Sequence, residues 1–172
     1  KRMWMLYDDV QHCEFDAALR FDMAATKVTD LAGDGTTQAT VGYTRTCTSD
    51  VSPNEFKLIM HVGKAQKYRL RGVDRVGAAW WDEEAGALRG MPLPRDCSVA
   101  GQQALVSQYK EQGTELPLPG CYSDEKDFAK APEAYLTFMR QHWFALMQKQ
   151  DAEWGQAQTP PQEPTEDEES AP

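Results

Sequence analysis

Residues 28–47 read V-T-D-L-A-G-D-G-T-T-Q-A-T-V-G-Y-T-R-T-C: an acidic, glycine-rich loop from Asp30 to Gln38, then an alternating run. In that run Ala39, Val41, Tyr43 and Cys47 alternate with Thr40, Gly42, Thr44 and Thr46. Period two with threonine and tyrosine marks a half-buried strand, with the odd positions expected inward. Arg45 breaks the pattern and needs a partner or an edge position. Upstream, Cys13, Phe15, Ala17, Leu19, Phe21 and Met23 alternate with Glu14, Asp16, Ala18, Arg20 and Asp22. This predicts a second strand, again with its odd positions inward. The loop is then the corner that joins the two strands. Ahead of them, Met3–Val10 is a short apolar run ending in two aspartates, and it fits either a strand or a helical turn.

The loop has part of a calcium site. Such sites need oxygen ligands at alternate positions and a glycine at the sharp turn. The pattern D-x-D-x-D-G-x-x-[DE] is met at Asp30, Asp34, Gly35 and, through its carbonyl, Thr36. It fails at Ala32, and Gln38 offers only a neutral carbonyl. Val41 stands at the twelfth position of an EF-hand, which excludes that motif. The expectation is a degenerate loop with at most weak Ca2+ binding through Asp30, Asp34, Thr36 and Gln38, and otherwise no cofactor.

After the turn cluster T-S-D-V-S-P-N, residues 55–63 and 67–72 form a hairpin pattern around G-K-A-Q. Phe56, Leu58, Met60, Val62, Tyr68 and Leu70 fall on one face. Lys57, Ile59, His61, Lys67, Arg69 and Arg71 fall on the other, a cationic stripe that is either a solvated strand face or a site for an anionic partner. Of the adjacent Trp80 and Trp81, one is expected buried and the other, assigned to Trp81, open to a partner. Residues 86–122 hold four prolines and several glycines and read as an irregular excursion, helical only over Ser98–Gln112. Pro132 opens a long helix whose Leu136, Met139, Trp143, Leu146 and Met147 make an inward stripe, flanked by Tyr135 and Phe138.

The formal charge is −9, of which −6 lies in residues 153–172, so the body is nearly balanced. That tail is rich in Pro, Gln and Glu and is expected to be disordered. Its charge disfavours nucleic acid. Residues 1–152 are then one α+β domain, an antiparallel sheet of meander strands packed by one C-terminal amphipathic helix. Four cysteines without a C-x-x-C pair point to disulfides rather than zinc. Cys13 and Cys47 fall on the expected core faces of neighbouring strands and are paired on that ground, the alternative being two free buried thiols. Cys97 and Cys121 bracket the excursion and form the second expected bridge. No stretch is apolar enough to span a membrane. The chain opens on Lys1 rather than Met, as a processed product would.

Asp30–Tyr43 resembles the aspartate-rich loop of FG-GAP and VCBS-type repeats. The longer series C-E-F-D, V-T-D-L-A-G-D-G, Y-T-R-T-C-T-S-D-V-S-P, K-L-I-M-H and K-Y-R-L-R-G is similar to a bacterial family of surface polysaccharide biosynthesis proteins. The likeness covers residues 4–72, with an echo around Trp143. It implies a periplasmic or cell-surface location and a role linked to surface glycan. Only His12, His61 and His142 are available as histidine bases, and no nucleophile or phosphate-binding motif occurs. The chain therefore reads as a non-catalytic envelope binding protein, its partner a protein or an anionic glycan. The alternative is an immunity-type inhibitor of a secreted toxin or hydrolase, using the excursion and its acidic residues.

Overall fold

The computed structural model describes residues 4–48, 52–82, 84–85, 87–109 and 115–158, with only the backbone at 79–81, 87–88, 109 and 154–158. Four strands, β1 (Asp16–Thr29), β2 (Gln38–Thr48), β3 (Glu55–Val62) and β4 (Gln66–Val73), make one antiparallel meander in the order β1-β2-β3-β4. A short hairpin of β5 (Ala79–Asp82) and β6 (Ala87–Gly90) follows, then helix α1 (Val99–Tyr109), a 3-10 turn at Lys126–Phe128 and the long helix α2 (Glu133–Gln158). The fold is α+β, with α2 packed on the sheet.

Register fixes which side chains share a face. Leu58 lies opposite Gly42 and Leu70, and Met60 opposite Thr40 and Tyr68. The even residues of β2, β3 and β4 therefore look toward α2. Phe56, Leu58, Met60, Val62 and Leu70 pack there against Tyr135, Met139, Trp143, Leu146 and Met147, as the two stripes predict. Burying each of these ten side chains contributes about 2 kcal/mol before chain entropy is set against it. Gly42 belongs to this layer, because a Cβ there would stand 2.5 Å from the Ala25 Cβ.

The opposite face has a cover of its own. Trp4 and Leu6 pack on Val41, Tyr43 and Ile59, so the N-terminal segment lies across β2 and β3 as an extended strap. This resolves the strand-or-helix ambiguity of that segment in favour of neither. It also explains why β2 and β3 are buried on both faces, where alternation predicts only one.

The first strand corrects the expectation. It begins at Asp16, not Cys13, and its odd residues point outward: Leu19, Phe21 and Met23 are 49%, 53% and 74% exposed. Phe15, ahead of the strand, is exposed too, as is Val28. The reason is position. β1 is an edge strand beyond the reach of both covering layers, touching α2 mainly where Ala25 sits at an irregularity between Asp22 and Lys27. Two boundaries also move. Residues 87–90 are strand rather than irregular excursion, and α2 runs on to Gln158, past the expected domain end at residue 152. Residues 159–172, most of the expected disordered tail, lie outside the described residues.

The two sheet edges differ. Along β4 the return limb of the excursion is zipped onto the strand: Val73 N–H donates to Cys121 O at 3.1 Å and Ser123 N–H to Arg71 O at 2.8 Å. The approach is close enough that a Cβ on Gly72 would lie 2.0 Å from Cys121 O. Arg75, 1% exposed, ties this limb to α2, donating to Pro119 O, Met91 O and the Asp151 carboxylate at 2.8–3.0 Å. Trp143 Nε1 donates to Gly120 O at 2.7 Å from the same helix.

Candidate functional site

Both expected disulfides are present, Cys13–Cys47 and Cys97–Cys121. The first anchors the end of the strap. The second closes the excursion, with Cys121 fully buried beneath Gly72. Among the described residues no helix is long and apolar enough to cross a membrane. Two structural disulfides fit an oxidising compartment.

The acidic loop is held by its own amides. Asp30 accepts N–H donation from Gly33 (2.8 Å), Asp34 (3.2 Å) and Gly35 (2.9 Å), so both its oxygens are engaged. Asp34 accepts from Thr36 N–H at 2.8 Å, which holds its carboxyl below the usual range. Gly33 and Gly35 supply the positive φ, +69° and +84°, that turns these amides inward. Gln38 is fully buried: its oxygen accepts from Leu31 N–H (2.9 Å) and Thr29 Oγ1 (3.3 Å). Its amide donates to Thr36 O (2.5 Å) and to Tyr135 Oη of α2 (3.2 Å). A calcium cage needs converging free oxygens. Here the Thr36 carbonyl and both ends of Gln38 are spent on hydrogen bonds, so the donor set does not fit the ion. Gln38 instead pins the corner to the helix.

The cationic stripe is covered at one end only: Lys67, Arg69 and Arg71 are exposed, whereas Lys57 and His61 are not. Lys57 binds Asp8 of the strap, which also accepts from Tyr43 Oη at 2.7 Å. Burial alone would raise the Asp8 carboxyl, but the hydrogen bonds from Lys57 and Tyr43 outweigh it and hold its pKa at about 2. Arg45 finds its partner in Glu55 at 3.3 Å, with Asp8 at 4.0 Å. His61 is 8% exposed and stacked under Trp4, ring centroids 4.0 Å apart, so burial and then the charge of Lys67 keep it below the usual histidine range. Arg71 pairs with Glu55, and Arg69 with Asp127 at 3.0 Å. Of the expected partner residues, Lys67 is exposed and has no ion pair among the described residues. Lys57 and His61 are covered by the chain's own strap, which corrects their reading as an exposed stripe. The Trp81 side chain lies outside the described residues.

Arg69 and Arg71 return in another setting. They line a cavity of about 380 Å³ at the β4 edge with Ser123, Asp124, Lys126 and Asp127. Ser123 and Asp124 also line a larger cavity of about 480 Å³, walled by the start of the excursion (Pro94–Val99) and by Tyr122, Glu125, Arg140 and Phe144. The two cavities share Ser123 and Asp124 of the return limb as a wall. Most of the charges that line them are paired. Arg140 grips Glu125 through Nε and Nη2 (2.6 and 2.5 Å), and Tyr122 Oη donates to the same carboxylate at 2.7 Å. The guanidinium, with that hydroxyl, holds Glu125 below the ordinary range. Lys126 pairs with Asp124 at 3.0 Å, and Asp96 accepts from Ser98 N–H at 2.8 Å. Arg95 has no ion pair among the described residues. Sequence reasoning missed Arg95, Arg140 and the Ser123–Lys126 limb, which come from three separate segments. The one signal for them was the cysteine pair bracketing the excursion. Among the described residues no three His, Cys, Asp or Glu side chains are grouped to hold a metal ion.

Compared with protein-family models, with curated proteins and with solved structures, the chain finds no match.

Proposed function

We propose that this is a non-catalytic binding protein of the bacterial cell envelope, periplasmic or at the cell surface, that holds a surface glycan in the cavities lined by Arg69 and Arg140. The observation that carries this is the wall of mutually fixed ion pairs. A sugar hydroxyl both donates and accepts, so it is best met by donors and acceptors already held side by side. Guanidinium–carboxylate pairs supply that arrangement with little ordering cost on binding. The cavity volumes are in the range of ligand sites. The two disulfides and the resemblance of residues 4–72 to a surface polysaccharide family support the same setting. An inhibitor of a basic toxin would instead need an unsatisfied acidic surface. In the excursion and the limb that follows it, Asp96, Asp124 and Glu125 each already hold a donor, while Glu115 is exposed with no ion pair among the described residues.

Titration calorimetry with a hexuronate oligosaccharide and with a neutral glucan oligosaccharide tests this. Saturable binding of at least one is expected. Arg95→Ala, which breaks no ion pair among the described residues, should weaken it roughly tenfold, about 1.4 kcal/mol. Absence of binding by both, at millimolar ligand, would refute the reading.

A further inference from the structure

Nine large apolar side chains are strongly exposed among the described residues, and seven of them, from Met5 to Val28, belong to the strap and to β1 with its approach. Apolar exposure gathered in this way marks a contact surface. It coincides with a backbone feature. The outer edge of β4 is covered by the return limb of the excursion, but no described strand pairs with the outer edge of β1. An open edge is a template for another strand.

We propose that the occupant is a second copy of this chain, pairing β1 with β1 antiparallel about a twofold axis through Ala18. Three observations select this partner and this register. The irregularity between Asp22 and Lys27 disrupts the second half of the strand, so only Asp16–Phe21 offers a regular edge. Pairing about Ala18 sets Asp16 opposite the second copy's Arg20, twice by symmetry, and Ala17 opposite Leu19. Shifting the axis to Leu19 would set Asp16 against Asp22, and like charges directly opposite are unfavourable. Neither Asp16 nor Arg20 has an ion-pair partner among the described residues, and the axis brings the two together. The product is a continuous eight-stranded sheet with Leu19 and Phe21 of both copies gathered on the strap side. This inference does not depend on the glycan reading.

Sedimentation of the full, oxidised chain over a concentration series is the test. A concentration-dependent species of twice 19.4 kDa is expected. Arg20→Asp and Asp16→Arg should each be monomeric alone. An equimolar mixture of the two should dimerise again, because their altered edges are complementary. Far-UV circular dichroism and an intact disulfide count establish that each variant is folded. The proposal is overturned by a wild-type chain that stays monomeric throughout, by a dimer that either single variant leaves intact, or by folded variants that fail to associate on mixing.

Discussion

Gln38 does the work that a metal ion would do in a loop of this shape. Its carboxamide joins Thr29, Leu31 and Thr36 of the corner to Tyr135 of α2, and it is fully buried. Truncation to alanine would leave the Leu31 amide and the Tyr135 hydroxyl unpaired, each costing on the order of 1–3 kcal/mol. Gln38→Ala should therefore lose about 3 kcal/mol in urea denaturation. Millimolar calcium or EDTA should move the wild-type melting temperature little, since Asp30, Thr36 and Gln38 already hold hydrogen bonds within the corner. A rise of many degrees with micromolar calcium would contradict this account. Residue counting at Ala32 and Gln38 could foresee that two ligand positions of a calcium loop carry other residues. It could not foresee that the glutamine amide reaches a helix 97 residues away.

At the scale of elements, the strap and α2 divide the sheet between them. The strap is held by Asp8, whose folded carboxyl titrates at about 2 against an ordinary value near 3.8. The folded state thus binds this proton less readily than the unfolded chain does. The stabilisation, about 2 kcal/mol, is complete above pH 4–5 and is lost as pH falls toward 2. His61 acts in the same direction at higher pH, because a buried neutral histidine resists protonation and stability drops as pH falls below its ordinary range. Trp4 fluorescence should report strap release in acid, and Asp8→Asn should remove most of the change between pH 4 and 2. An unchanged acid profile in that variant would show that Asp8 does not hold the strap. The strands, the hairpin register and the α2 stripe were legible because period two and period 3.6 are local properties. Which face of a strand is covered is not local. Leu19 and Phe21 alternate as cleanly as Val41 and Tyr43, yet only the latter pair lies under another layer. The cavities were illegible for the same reason, since Asp124 comes beside Arg71 on one side and Arg140 on the other only when the return limb docks on β4.

Across the whole molecule, the two disulfides have separate tasks. Cys13–Cys47 anchors the strap, and Cys97–Cys121 closes a loop of about 25 residues, worth roughly 3 kcal/mol by chain entropy. Paired serine substitution at Cys97 and Cys121 should lower stability by about that amount while the far-UV spectrum of the sheet persists. Oligosaccharide binding should fall more steeply than stability, because Cys97 lines the larger cavity and Cys121 positions the limb that walls it. Equal affinity in a folded double-serine variant would dissociate the cavities from the bridge. The meander itself is built from neighbouring strands and does not wait for this bond. The cavity wall is held by it together with the hydrogen bonds of Cys121 and Ser123 to β4. On the glycan reading, binding should therefore be weaker in the reduced chain, before an oxidant has closed this bond.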